Sequence, residues 1–398
     1  MNVRTPEAYW LMKNDLMNIY NDLNQDLKTE VAIIGAGISG SLAAYYLAEA
    51  GYQVAVLDKR HPGMGSTAAS TALLQYEIDE PLYSLKKLVG PKKAEQSYLA
   101  CVEALGRLDS LVREKKMKVE FQKVPSLQYA SYKSHVGRLE DEYKARKSIG
   151  LEVEWLEPPD IEKLFSLKAP GGLWSAKAGK VDAYALTQAL LSSAGDNLTV
   201  YDGVEVKGFE VGPRSISLTT GRDQKIKAKF LVIACGYESE KFLPFSVVKM
   251  ETTYAFITKP LGESDLWDKD ALLWETKTPY LYVRTTENNR LIAGGRDDDH
   301  HNHRERDRVL PAKIKALVQD VQKLLGLEVQ PDFGWAGVFG STKDTLGYIG
   351  EIKNLPRTYF IMGFGGNGIL YSQIGAEIVR DSIKGRKNEL KNVFGFNR

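Results

Sequence analysis

Three glycines, Gly35, Gly37 and Gly40, stand at the spacing G-x-G-x-x-G directly after the apolar run Val31 to Ile34 and at the start of a helical pattern from about Ser39 to Ala50. In that setting the first glycine makes a tight turn, the second lets backbone approach a pyrophosphate, and the third lets helix and strand pack closely. The N–H groups and positive dipole end of the helix then hold phosphate. A second apolar strand, Val54 to Leu57, ends at Asp58, where a carboxylate can accept both hydroxyls of an adenosine ribose. An acid rather than an arginine there argues against a 2′-phosphate. The candidate dinucleotide site is Gly35, Ala36, Gly37, Ile38, Ser39 and Gly40 on the loop, with Asp58, Lys59 and Arg60 after the second strand.

The C-terminal region repeats the device. In TYFIMGFGGNGILYSQIG a strand runs into the glycine-rich turn Gly363 to Gly368 and then into a helix with Leu370, Ile374 and Ile378 on one face. A reduced, anionic flavin gains from N–H groups and a helix dipole near its pyrimidine edge, which points to FAD rather than a nicotinamide.

With these two segments in place, the chain after residue 29 resembles the D-amino-acid oxidase-like family of FAD enzymes, near glycine oxidase, sarcosine oxidase and gamma-glutamylputrescine oxidase. The matching segments, in order, are VAIIGAGISG with Asp58, GMGSTAAS, GGLWSAKAGKVDAYALTQAL, VYDGVEVKGF, FLVIACGYES, RLIAGGR, WAGVFGSTKDTLGYIG and GFGGNGI. The resemblance implies that Ser66, Thr67, Ala68, Ser70, Thr71 and Leu73 run along flavin and pyrophosphate, and that Val206 meets adenine through its backbone. It also implies that Ala234, Cys235 and Gly236 make a second FAD contact, and that Gly365, Gly366, Asn367, Gly368 and Ile369 lie beneath the pyrimidine end. Gly337 stands where sarcosine oxidase-like members attach flavin through cysteine, so the implied FAD is noncovalent. Phe339 stands where glycine oxidase-like members place an arginine for the substrate carboxylate, so a planar clamp is missing from that position.

The implied chemistry is oxidation of a C–N bond in an amine or amino acid, by hydride transfer to flavin N5 and hydrolysis of the imine. No general base is required if the amine arrives neutral. Candidate substrate-pocket residues come from β-rich runs between residues 247 and 296: Tyr254 with Phe256, Tyr282 with Arg284, and Arg296. Arg284 or Arg296 could replace the absent carboxylate anchor; each is equally readable as an edge residue or an ion-pair partner. Tyr371 is a further candidate wall. The partners implied are a small-molecule substrate and oxygen or another electron acceptor. The alternatives are a dehydrogenase of this architecture feeding a quinone or carrier protein, a noncatalytic flavin-binding protein, and an NAD-dependent oxidoreductase.

The elements that must position these groups read as α/β: a discontinuous Rossmann-like FAD-binding domain (29–80, 181–245 and 330–398) and an inserted α+β substrate domain with an antiparallel sheet (81–180 and 246–329). Residues 1–28 form an arm with a short amphipathic helix using Leu11, Met12, Leu16, Ile19, Tyr20 and Leu23. Residues 91–146 read as helical, and a later helix is expected over Pro311 to Leu325, opened by its proline and closed by Gly326. His300, His301 and His303 sit in a charged run without the i, i+4 spacing of a helical zinc site, so no metal is expected. Across 398 residues, 53 Lys and Arg balance 51 Asp and Glu, which speaks against a nucleic-acid binder. Two cysteines without ligand or disulfide spacing, no apolar signal core and no run of roughly 18 apolar residues fit a cytoplasmic protein without an integral membrane segment.

Overall fold

A computed structural model describes residues 2–267, 270–299 and 302–398. His300 and His301 lie outside these residues, whereas His303 opens a helix. Two sheets organise the chain. The first has eight strands. Its parallel core runs, edge to edge, through Thr358–Met362, Lys225–Ile233, Leu27–Ile34, Val54–Leu57 and Leu198–Tyr201. The stretches Val31–Ile34, Val54–Leu57 and Leu231–Ile233 read as unbroken Val, Ile, Leu and Ala because both faces are covered there, as parallel sheets require. The helices Ile38–Glu49 and Gly368–Ile383 pack against each other on this sheet. Strand Tyr348–Glu351 adds an antiparallel edge, and the hairpin Val206–Val211 with Ile216–Thr220 joins through Lys225–Ile233.

The second sheet has nine strands, mostly antiparallel, with Lys249–Thr258 between Pro331–Ser341 and Leu291–Asp298. It continues through Tyr282–Thr285, Leu272–Glu275, Gln122–Tyr129 and Gly172–Lys180 to Leu73–Gln75. One face packs against helix His303–Leu325, which buries Leu317, Val321 and Leu325.

Three sequence readings are corrected. The segment read as helical over 91–146 is two helices, Pro91–Glu114 and Val136–Ser148, around the strand Gln122–Tyr129. That strand tolerates Pro125 because its register shifts between Val124 and Ser126, removing the missing N–H from the ladder. The helix expected from Pro311 starts at His303, where the Asn302 side chain caps the Arg304 N–H at 3.0 Å, and carries the proline inside it. In the N-terminal arm only Tyr9–Asn14 is helical, and Met12, Leu16 and Ile19 are exposed, Ile19 almost completely at 99%. Of the expected positions Leu23 is buried, and the arm is pinned as well by Val3 and Trp10 and by the backbone bonds Thr5 N–H to Ala336 O (3.0 Å) and Val338 N–H to Val3 O (2.8 Å).

No helix among the described residues is long and apolar enough to cross a membrane.

Candidate active site

The carboxyl ends of four parallel strands open onto one cavity of about 280 Å³: Ile34, Leu57, Ala234 and Gly363 all line it. This is the crevice where open α/β sheets bind ligands, at the point where strand order reverses on either side of Leu27–Ile34. Gly35 turns there with φ +103°, and a Cβ on it would lie 2.6 Å from Ala234 O. A Cβ on Gly40 would lie 1.8 Å from Gly35 O, so only glycine lets the helix sit this close to the turn.

Gly37 caps helix Ile38–Glu49 without a side-chain bond, leaving its first turn facing the cavity through Gly37, Ile38 and Ser39. The helix Gly368–Ile383 presents Gly368, Ile369 and Ser372 to the same cavity. A Ser39 Oγ to Ser372 Oγ hydrogen bond of 2.7 Å ties the two N-terminal turns side by side. Two positive dipole ends thus converge on one space.

Asp58 holds the loop and lines the cavity. Its Oδ2 accepts from Ala36 N–H at 2.7 Å and its Oδ1 from Arg60 N–H at 2.8 Å. Burial pushes its pKa up, and these two N–H groups oppose that. Lys59 and Arg60 also line the cavity, and both reach Glu238, at 2.5 and 3.3 Å. Although burial alone would raise Glu238, Lys59 and Arg60 help bring it down to about 2.

Most of the expected cofactor residues face this cavity: Ser66, Thr67, Ser70, Thr71, Leu73, Val206, Ala234, Cys235, Gly236, Gly337, Gly365 and Gly366. Ala36, Gly40, Ala68 and Asn367 stand behind the lining. Ala68 is fully buried, and Asn367 donates its side-chain amide to Gln75 O and Glu77 O at 2.7 and 2.9 Å, fastening the glycine turn to the strand beside it. Thr67 Oγ1 accepts from Ile38 N–H at 3.0 Å, a role between loops that its sequence neighbours do not reveal.

The expected substrate residues are placed differently. Tyr254 and Phe256 point to the far face, into the core under helix His303–Leu325, where Tyr254 Oη donates to the Asp298 carboxylate at 3.1 Å. Arg296 leaves the cavity for a bidentate pair with Asp320 at 2.6 and 2.7 Å. Arg284 is buried: its guanidinium lies 5.3 Å from the Trp10 ring centre and donates to Val181 O at 3.3 Å. Tyr371 is core, its hydroxyl bonded to Thr345 O. Tyr282 does line the cavity, with Thr253, Tyr280, Asp297 and Phe339.

Tyr280 was legible, being two residues from Tyr282 in an alternating run. Thr253 stands on the face of its strand opposite Tyr254, and Asp297 was hidden by a β-bulge. Gly295 pairs with Tyr254 and Asp298 with Thr252, so Arg296 and Asp297 together oppose Thr253 alone. Arg296 takes a positive φ of 59° there, which sends it outward and Asp297 inward.

A family model described as FAD-dependent oxidoreductase, DAO, matches residues 30–382. The chain belongs to this family. It is an FAD-dependent oxidoreductase with the D-amino-acid oxidase-like fold. The enzyme is 25% identical to a glycine oxidase of Geobacillus kaustophilus (strain HTA426), over 89% of its length and 93% of the relative's. It is 22% identical to the gamma-glutamylputrescine oxidoreductase of Escherichia coli (strain K12), over 92% and 86%. A crystal structure of glycine oxidase from Geobacillus kaustophilus superposes with a TM-score of 0.80 at 19% identity, covering 94% of this chain and 99% of that one.

The lining residues suit the cofactor that the family uses. A dinucleotide needs bare backbone at its phosphates, and a Cβ placed on Gly37 would meet only Thr67 Oγ1, at 3.1 Å. The cavity extends unbroken from this loop to the glycine turn at Gly363 to Gly368.

Proposed function

We propose that this oxidoreductase oxidises a C–N bond of an amine or amino acid with noncovalently held FAD. The observation that carries the reading is the single cavity onto which both helix N-termini and the strand wall of Thr253, Tyr280 and Tyr282 open. In this reading Gly35, Gly37, Ile38 and Ser39 hold the pyrophosphate, with Asp58 at the adenosine ribose and the Val206 backbone at adenine. Ser66, Thr67, Ser70, Thr71 and Leu73 run along the middle of the cofactor, and Gly365 to Ile369 bear on its pyrimidine end. Ala234, Cys235, Gly236 and Gly337 close the opposite side.

Bound FAD supplies an acceptor for the hydride on the carbon next to nitrogen, and water then hydrolyses the resulting imine. The chain's own part is to bind, orient and dry the reacting pair. Cys235 is the cysteine at the cavity, and burial pushes its thiol up to about 11, which keeps it protonated near neutral pH. Cys101 is buried in the core. Tyr280, Tyr282 and Phe339 supply aromatic walls that exclude water and bear on the substrate's hydrocarbon.

The test is the visible spectrum of the purified protein before and after anaerobic addition of amines, N-methyl amino acids and D-amino acids. Flavin bands that bleach with one compound are expected, as is FAD released intact by acid precipitation. Peroxide formed when air is readmitted would identify oxygen as the acceptor. A flavin that no amine or amino acid reduces would refute the reading.

A further inference from the structure

The charged side chains around the strand wall of the cavity are carboxylates. Asp297 projects from the bulge, and its Oδ1 is buried with no hydrogen-bond partner, while the Thr253 hydroxyl bonds the same carboxylate. Asp79 stands close by. Its Oδ1 accepts from Tyr280 Oη at 3.2 Å and its Oδ2 from Gly366 N–H at 2.9 Å. Glu251, the cross-strand partner of Phe339, pairs with Lys249 at 3.1 Å outside the cavity lining and acts as a like charge on both Asp79 and Asp297.

No counter-charge closes this group within the cavity. Among the described residues the cations lining it are Lys59, Arg60 and Lys241. Lys59 and Arg60 pair with Glu238 at the Asp58 end. Lys313 acts on Asp297 from the other face of the sheet, where its ammonium is bound to Asp298 at 2.6 Å. Like charges brought together at a partly buried wall repel unless a cation joins them. Tyr280 and Tyr282, with ring centres 5.8 Å apart, add π faces that also favour a cation. A carboxylate brought to this wall would meet repulsion, and the two arginines that could have received it are turned away toward Asp320 and Trp10.

We infer that the wall selects a substrate by a cationic nitrogen held on the Asp297 carboxylate, and that the substrate needs no carboxylate of its own. The inference rests on the proposed amine oxidation and narrows it. A nitrogen held as a cation keeps its proton, whereas the nitrogen whose C–N bond is oxidised must be neutral. The substrate class that meets both demands carries two nitrogens, one held and one oxidised, as a diamine does.

The test uses the FAD-loaded enzyme and two probes of matched shape and opposite charge, tert-butylammonium and pivalate. Neither has hydrogen on the carbon that bears the charged group, so the flavin spectrum reads binding alone. Tert-butylammonium is expected to perturb the spectrum and pivalate not to. Asp297→Asn should weaken the cation by about tenfold or more at unchanged flavin content, and Asp297→Glu should restore part of it. In anaerobic reduction, 1,4-diaminobutane should outrun 4-aminobutanoate by about tenfold or more in kcat/KM. Pivalate binding more tightly than tert-butylammonium, or Asp297→Asn leaving the cation unaffected, would overturn the inference. If amino acids then reduce the flavin, amine oxidation survives without it. If the cation binds through Asp297 and no amine reduces the flavin, the cation site stands and the proposed oxidation falls.

Discussion

Asp297 carries its charge only over part of the accessible pH range. Burial, and then the neighbouring Asp79 and Glu251 carboxylates, push its pKa up to about 6, against the Thr253 hydroxyl and Lys313. Below that value the carboxyl is neutral and cannot hold a cation. Affinity for tert-butylammonium should therefore rise as pH increases from about 5 to about 7, and Asp297→Asn should flatten the profile. The linkage to folding runs the other way. The native protein keeps this proton to a higher pH than the unfolded chain, so the group's contribution to stability falls as pH rises from about 4 to about 6. Thermal melts of Asp297→Asn should thus gain on the parent at pH 8 relative to pH 5; equal shifts at both would contradict the assignment. At the other end of the cavity, Asp58 serves two backbone N–H groups at once. In Asp58→Asn one of them must face an amide that can only donate, at a cost of about 1 to 3 kcal/mol. FAD affinity of the deflavinated protein should fall roughly 10- to 100-fold by fluorescence titration.

The strand, turn and helix around the first glycine loop were readable because every residue there answers to one constraint. The clearest case is Gly40, whose replacement by alanine would drive a Cβ into Gly35 O. Gly40→Ala should cost about 3 kcal/mol or more through overpacking against backbone that cannot yield. It should also purify with little bound FAD, measured by flavin-to-protein absorbance ratio and Tm. The same logic exposed the second glycine turn, the paired β-rich runs and Tyr282. Legibility ended where pairing, not sequence, sets direction. Alternation from Tyr254 chose one face of the strand Lys249–Thr258, yet the face toward the cavity is that of Thr253, and an unpaired residue on the neighbouring strand decides whether Arg296 or Asp297 points inward. Asp79 follows no motif at all: it reaches the site because the Asn367 amide fastens the glycine turn to the backbone of Gln75 and Glu77. The short arm helix failed for a related reason. Of the arm's apolar residues at helical spacing, Met12, Leu16 and Ile19 face solvent, while much of its anchoring is done by backbone pairing with a strand over 300 residues away.

At the scale of the molecule, the cavity lies where segments remote in sequence meet, and the N-terminal arm is one of its fasteners. Val3 lines the cavity itself, and Arg4 pairs with Gly337 through an isolated antiparallel bridge. Farther along, Trp10 is 1% exposed, donates its indole N–H to Ser70 O at 2.6 Å and carries the Arg284 guanidinium over its ring. Ser70 belongs to the small-residue segment along the cavity, so in the proposed FAD site this indole would be one tie between the arm and cofactor retention. The two parts of that coupling separate by mutation. Trp10→Phe keeps a ring under Arg284 and loses the bond to Ser70, worth about 1 kcal/mol, so Tm should move little while FAD dissociates severalfold faster. Trp10→Ala empties the core position as well, costs about 3 to 5 kcal/mol and leaves a buried guanidinium without its π face. If both variants release FAD at the parent rate in stopped-flow transfer to an apoflavoprotein acceptor, the arm only stabilises the fold. Faster release in Trp10→Phe at nearly constant Tm would instead make the arm part of the cofactor's enclosure, because the hydrogen bond removed is one of those that hold Ser70.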